Sequence, residues 1–99
     1  MVFKIEWSAR SVKDFENVVT YLEKNWSGKI ALEYSGKLDR VLNIIEKMPY
    51  LYPKISRRKN VRKCIVVKQN MMFFRVKDKT ITILAIFDTR QHPKKLKLK

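Results

Sequence analysis

The 99-residue sequence predicts an α+β fold in the order strand, helix, helix, strand, strand, strand. In the first half, apolar residues recur at the three- and four-residue steps typical of amphipathic helices. In the second half, runs rich in β-branched and aromatic residues are separated by two-residue breaks. With 45% hydrophobic residues, the chain can build one core. We expect a single domain over residues 1–93 and a basic C-terminal tail over residues 94–99.

The first half predicts one strand and two helices. The segment VFKIEW alternates and reads as a short N-terminal strand, and Ser8 is suited to cap the helix that follows. We expect helices over residues 9–25 and 29–48, the second ended by Pro49. The break NWSG between them is short, which predicts an antiparallel helical hairpin. The apolar stripe of the first helix comprises Val12, Phe15, Val18 or Val19, Leu22 and Trp26.

The second half predicts a three-stranded antiparallel meander. It begins after the segment PYLYPKISRRKN, which we interpret as a loop. The runs VRKCIVVK, MMFFRVK and TITILAIF are separated by QN and DK, which suit tight hairpins. The helical hairpin should pack on one face of the resulting sheet.

Composition excludes several classes of protein. No segment approaches the ~18 apolar residues of a membrane span, and MVFKIEWS lacks the features of a signal peptide, so we expect a cytoplasmic protein without a membrane partner. One cysteine and one histidine provide no metal-ligand spacing. We therefore expect neither a metal nor a cofactor.

The net charge of +14 is concentrated in the second half of the chain. Residues 1–53 contain 8 basic and 7 acidic side chains, whereas residues 54–99 contain 15 basic and 2 acidic ones, a net of +13. Such asymmetry favours an anionic partner. Because the helices cover one sheet face, we expect the cations to gather on or around the other face: Arg62, Arg75, Arg90 and the loop at 54–59.

The last predicted strand runs into FDTRQHPKKLKLK, which contains the only histidine of the sequence. Arg90 and His92 are two residues apart, so they project to the same side if the chain stays extended. An imidazole with a pKa near ~6.5 can accept or donate a proton, and a guanidinium can hold a phosphate oxygen through two hydrogen bonds. Alternatively, His92 is an exposed turn residue before Pro93.

The order of several segments carries a resemblance to a known family. They are WSxxxxxDFxxVVxYLExNW, LxxVLxxIxxxPxxYP, VRxCIV and IFDTRQHP. Together these segments resemble the RelE/ParE superfamily of bacterial type II toxin–antitoxin toxins over essentially the whole chain. The resemblance implies a small basic toxin of plasmid-stabilisation type, held inactive by a cognate acidic antitoxin.

The resemblance leaves two branches open. RelE-like members enter the ribosomal A site and cleave mRNA, whereas ParE-like members inhibit DNA gyrase and lack the nuclease residues. In the nuclease branch, Arg62 and Arg90 match phosphate-binding arginines, and His92 lies where a His or Tyr often occurs. The ending RQHPKKLKLK departs from the usual nuclease tail.

We interpret the chain as a metal-independent, ribosome-dependent endoribonuclease with catalytic Arg62, Arg90 and His92, acting on mRNA. A non-enzymatic inhibitor of DNA gyrase is the alternative, and a plain nucleic-acid-binding domain would explain the charge but not the resemblance. Lys54 or Lys59 could replace His92 in proton transfer, and one tyrosine of YLY could stack on a base. The residues expected to bind nucleic acid are Lys54, Arg57, Arg58, Lys59, Arg75, Lys94 and Lys95.

Overall fold

The computed structural model describes residues 2–56 and 59–88, which form a helical hairpin on one five-stranded sheet. The α+β class and the order of the expected elements are confirmed. A 3₁₀ turn at Pro49–Leu51 follows the second helix. The helices and strands are β1 (Lys4–Trp7), α1 (Ala9–Asn25), α2 (Gly28–Lys47), β2 (Lys54–Ser56), β3 (Val61–Val67), β4 (Asn70–Lys77) and β5 (Thr80–Asp88).

The sheet has the strand order β1-β5-β4-β3-β2. Strands β3, β4 and β5 pair antiparallel as the expected meander, and β1 pairs parallel to β5. Strand β2 was not predicted, because it lies in the segment that we interpreted as a loop. Its three residues are too few to show an alternating pattern. It pairs antiparallel with the start of β3, where the Lys63 amide donates to the Pro53 carbonyl at 3.2 Å.

Serine side chains cap both helices. The Ser8 hydroxyl accepts a hydrogen bond from the Ser11 amide, and the Ser27 hydroxyl accepts one from the Ile30 amide, each at 3.1 Å. These bonds satisfy amides that have no partner within the helix. The second helix begins at Gly28, one residue earlier than predicted. Neither helix in the described part of the chain is long and apolar enough to cross a membrane.

Both helices lie on the same face of the sheet, which we call the helix face. The main core fills the space between the two helices and the sheet. Ile45, Phe74 and Ile83 are fully buried there. The opposite face of the sheet, which we call the far face, carries a second apolar cluster: Val61, Phe73, Ala85 and Phe87.

Cys64 lies in the main core, and burial raises the pKa of its thiol from 9.0 to about 12. The unfolded thiol therefore ionises at a lower pH than the folded one, so the free energy of unfolding should fall as the pH rises from 9.0 towards about 12. The whole shift corresponds to at most ~4 kcal/mol.

We expect Cys64→Ala to flatten this alkaline decline. Urea unfolding of both proteins across the same pH series measures the effect. The substitution also lowers stability at every pH, but this constant loss does not change the slope of stability against pH, which is what is compared. Burial also raises the pKa of Tyr34, but that contribution is common to both proteins. Parallel stability profiles would contradict the prediction.

Candidate functional site

Arg62 lies on the helix face of the sheet. The register of β3 and β4 places it opposite Phe74, a member of the main core, and places its neighbour Cys64 opposite Met72. The prediction that Arg62 lies on the face opposite the helices is therefore wrong. Only 8% of its surface is exposed.

The guanidinium of Arg62 is used inside the fold. Its Nη1 donates to the Tyr52 carbonyl at 2.7 Å, and its central carbon lies 4.9 Å from the centre of the Tyr50 ring. Its Nε is buried without a hydrogen-bond partner. The side chain thus ties β3 to the segment between α2 and β2. This placement disfavours the predicted phosphate contact, which requires N–H groups open to a ligand.

The two tyrosines of the YLY segment differ in exposure. Tyr52 is half-buried with its ring edge-on to Phe74 at 5.9 Å, and burial raises its pKa. Tyr50 is 57% exposed and meets Phe3 edge-on at 5.9 Å. Tyr50 is therefore the tyrosine of this segment that remains open to a base or to a partner side chain.

Three other predicted binding residues lie in the described part of the chain. Lys54 is exposed on β2, opposite Arg62, and Lys59 is exposed in the turn before β3. Arg75 is half-buried on the far face, opposite Val61. The structure therefore does not bring these three residues together with Arg62 around one cavity.

The far face carries two further exposed cations that our sequence analysis did not single out. Lys63 lies opposite Phe73, and Lys77 lies two residues after Arg75 on β4. Alternation along the two strands places Lys63, Arg75 and Lys77 on this face, and we call them the far-face cations. The sequence shows that these cations alternate with apolar residues, but it does not show which set faces the helices.

The remaining predicted site residues lie outside the described ranges, as does the tail at 94–99. Their roles stay predictions. They are Arg57, Arg58, Arg90, His92, Lys94 and Lys95.

A cleft of about 660 Å³ lies between α1, the β3–β4 turn and the end of β5. Tyr21 and Trp26 line it and are 51% and 70% exposed. In its wall, the Tyr34 hydroxyl donates to Asn70 Oδ1 at 2.9 Å. We call it the α1 cleft. Its exposed aromatic surface is suited to the apolar side chains of a partner.

Trp26 was expected on the apolar stripe of the first helix, and the structure places it elsewhere. The helix ends at Asn25, and Trp26 is the C-cap residue. The residue is 70% exposed and does not join the main core. None of the predicted site residues within the described ranges lines the α1 cleft.

The fold and the site define a small basic protein with a helical hairpin on one sheet face and cations on the other. The chain belongs to the ParE toxin family: the family model described as the ParE toxin of the type II toxin–antitoxin system parDE matches residues 5–93. It is thus a toxin of a type II toxin–antitoxin system, and the family implies an antitoxin partner.

Solved structures share the fold at low sequence identity. The chromosomal ParDE system from P. aeruginosa matches with a TM-score of 0.74 and 18% identity, over 88% of this chain and 96% of that chain. The YoeB dimer from Staphylococcus aureus gives 0.62 and 15%, over 88% and 97%. The YoeB/ParE toxin from Agrobacterium tumefaciens gives 0.65 and 10%, over 86% and 96%. A search of curated protein sequences finds no match.

Proposed function

We propose that this toxin acts by binding its target, as ParE-like inhibitors of DNA gyrase do, and that it does not cleave RNA. The observation that carries the proposal is the burial of Arg62. Of the three residues expected to perform RNA cleavage, it is the one that the structure describes, and its guanidinium is bonded to Tyr52 and covered by Tyr50. The match to the ParE family model supports the same branch.

Target binding in this proposal uses the cations of the second half of the chain. The far-face cations supply part of the positive surface, and the segment after Asp88 adds Arg90, His92 and the lysines of the tail. A one-sided positive charge accelerates association with an acidic protein surface and orients the encounter. The toxin then acts in the cytoplasm, where the gyrase of its host is found.

Ribosome-dependent cleavage of mRNA is the second candidate. It is supported by the spacing of Arg90 and His92 directly after β5, which would suit a guanidinium and an imidazole acting on one phosphate. The exposed Lys54 and Lys59 could transfer a proton in place of His92. In this case Arg62 would only support strand β2, which carries Lys54, and the segment before it.

The cognate antitoxin in our proposal is acidic and engages two surfaces. Its acidic side chains face the far-face cations, and its apolar side chains enter the α1 cleft beside Tyr21 and Trp26. Charge complementarity then sets the association rate, and burial of aromatic surface contributes most of the affinity.

Induced expression in a bacterial host tests the proposed target. We expect DNA synthesis to fall before protein synthesis, with a DNA-damage response and intact messages, because a trapped gyrase blocks replication. Pulse labelling of DNA, RNA and protein synthesis measures the order. Ile83→Asp provides a control that does not fold, because it places a carboxylate at a fully buried position. Early arrest of translation with messages cut at the A site would move the toxin to the second candidate.

A further inference from the structure

Apolar side chains are exposed where helix α2 ends. Met48, Tyr50 and Leu51 are each more than half exposed, and Ile44 is exposed one turn before Met48. The Met48 amide donates to the Ile44 carbonyl at 2.8 Å, and the Leu51 amide donates to the Met48 carbonyl at 3.3 Å. Residues spaced in this way share one side of a helix or a 3₁₀ turn, and Tyr50 directly precedes Leu51. The four residues therefore lie close together, and we call them the α2-end patch. Single exposed apolar residues are ordinary on a protein surface, whereas a contiguous group marks an interaction site.

The α2-end patch is held firmly from beneath. Pro49 is fully buried and begins the 3₁₀ turn. The Tyr50 ring meets Phe3 edge-on at 5.9 Å, and the central guanidinium carbon of Arg62 lies 4.9 Å from the centre of the same ring. The Phe3 amide donates to the Glu46 carbonyl at 2.9 Å, which ties the end of α2 to the start of β1. A surface that is fixed before binding loses little conformational freedom when a partner docks.

The α2-end patch is bordered by cations. Lys47 and Lys54 are exposed on either side of its last three residues along the chain. The sequence contains no acidic residue between Glu46 and Asp78. An apolar centre with a polar border is the usual anatomy of a protein–protein interface. Because this border is positive, it favours a protein partner with an acidic surface.

Two other occupants fit the α2-end patch less well. In a symmetric dimer, a second copy of this chain would bring Lys47 and Lys54 of both copies into the same interface, where they repel each other. Single-stranded RNA stacks its bases on aromatic rings, but Tyr50 is the one aromatic residue among the four. The chemistry of the patch therefore favours an acidic protein over both.

The α2-end patch lies apart from the α1 cleft. Lys54, which follows the patch, pairs with Arg62 near the start of β3, whereas the cleft reaches Val67 at the other end of that strand. None of the four patch residues lines the cleft. Occupation of the α1 cleft, proposed above for the antitoxin, therefore does not use the patch.

We propose that the α2-end patch is the surface that docks the target of the toxin, through an acidic site on that target with an apolar recess for Met48, Tyr50 and Leu51. This assignment rests on the proposed function, in which the target is DNA gyrase. The far-face cations steer the encounter. The patch supplies the contact that holds the complex, because burial of apolar surface is screened less by salt than exposed charges are.

Two double variants test the apolar contact. Met48→Ser combined with Leu51→Ser removes apolar surface from the patch. Val12→Ser combined with Leu32→Ser is the control, because it removes exposed apolar surface from α1 and the first half of α2. The four positions are exposed, so both variants should stay folded, which urea unfolding checks.

Inhibition of DNA supercoiling by purified gyrase measures the effect of these variants. The patch variant should need on the order of 10²-fold more protein than the parent chain, because it lacks two central contacts. The control should stay within a few-fold of the parent chain. Equal inhibition by the patch variant and the parent chain would overturn the proposal.

The charge reversal Lys47→Glu combined with Lys54→Glu tests the acidic character of the partner. It should weaken inhibition of gyrase by about tenfold or more at low salt, and the loss should shrink as salt rises. Inhibition that is indifferent to this reversal would contradict an acidic docking site.

Antitoxin binding and self-association separate the other occupants. The variant Met48→Ser with Leu51→Ser should bind the cognate antitoxin, and sediment, as the parent chain does. Loss of antitoxin binding with full inhibition of gyrase would assign the patch to the antitoxin, and loss of a dimer with full inhibition would assign it to a second copy. Either result overturns the proposal.

Growth arrest on induced expression separates failure of the patch from failure of the proposed target. If the parent chain arrests growth without inhibiting purified gyrase, DNA gyrase is not the target. Relief of growth arrest in the patch variant, with arrest retained in the control, would still support the patch as the docking surface. Full arrest by the patch variant would overturn it.

Discussion

Arg62→Ala is expected to lower the free energy of unfolding by about 2–3 kcal/mol. The substitution removes a charge-assisted hydrogen bond to the Tyr52 carbonyl and the contact with the Tyr50 ring. It also leaves a cavity beneath the segment between α2 and β2. Removal of the unpartnered Nε offsets part of this loss. In a domain of this size, the melting temperature should fall by roughly 10 °C or more. Urea and thermal unfolding measure the loss.

Arg62→Met separates the structural role of Arg62 from a chemical one. Methionine retains much of the side-chain volume beside Tyr50 and Tyr52 but has no side-chain N–H group. At a temperature at which both proteins are folded, we expect the variant to inhibit the target within a few-fold of the parent chain, whereas loss of a preorganised donor in catalysis costs on the order of 10²-fold or more. A folded Arg62→Met protein without activity would show that the guanidinium acts on the target.

Reversing the charge of two far-face cations is expected to weaken antitoxin binding by about 10²-fold or more at low salt. The variant is Lys63→Glu combined with Lys77→Glu, both exposed on the far face. Each reversal replaces attraction to an acidic partner with repulsion. Calorimetry or surface-immobilised binding at several ionic strengths measures the loss, which should shrink as salt rises.

A matched control changes the net charge equally at other positions. Lys13→Glu with Lys37→Glu alters exposed residues of α1 and α2, away from the far face. This control should lose far less affinity. Equal losses in the two double variants would mean that total charge, and not a defined surface, recruits the antitoxin.

The elements with clear periodicity could be predicted from the sequence. The Ser8 cap, the two amphipathic helices and the three-stranded meander all follow from local patterns. Strand β2 could not be predicted, because it exists through its pairing with β3 and its own three residues carry no pattern. Short strands of this kind depend on a partner that only the folded chain provides.

The site was harder to predict than the fold. Arg62 and Lys63 are adjacent charged residues on β3, so one of them must point towards the helices, and composition does not indicate which. The buried guanidinium of Arg62 donates to the backbone carbonyl of Tyr52. Any residue has such a carbonyl, so the sequence does not reveal this partner. The contact between Asp14 and Ile86 likewise joins elements at opposite ends of the sequence, and no local pattern encodes it.

A side-by-side assay of the purified toxin tests the central claim most directly. DNA supercoiling by gyrase and cleavage of mRNA on programmed ribosomes are measured with the same preparation at the same salt concentration. We expect supercoiling to be inhibited and the message to remain intact, because the chain binds its target without chemistry and uses Arg62 to support its own fold. Cleavage of the message at the A site with uninhibited gyrase would contradict this account.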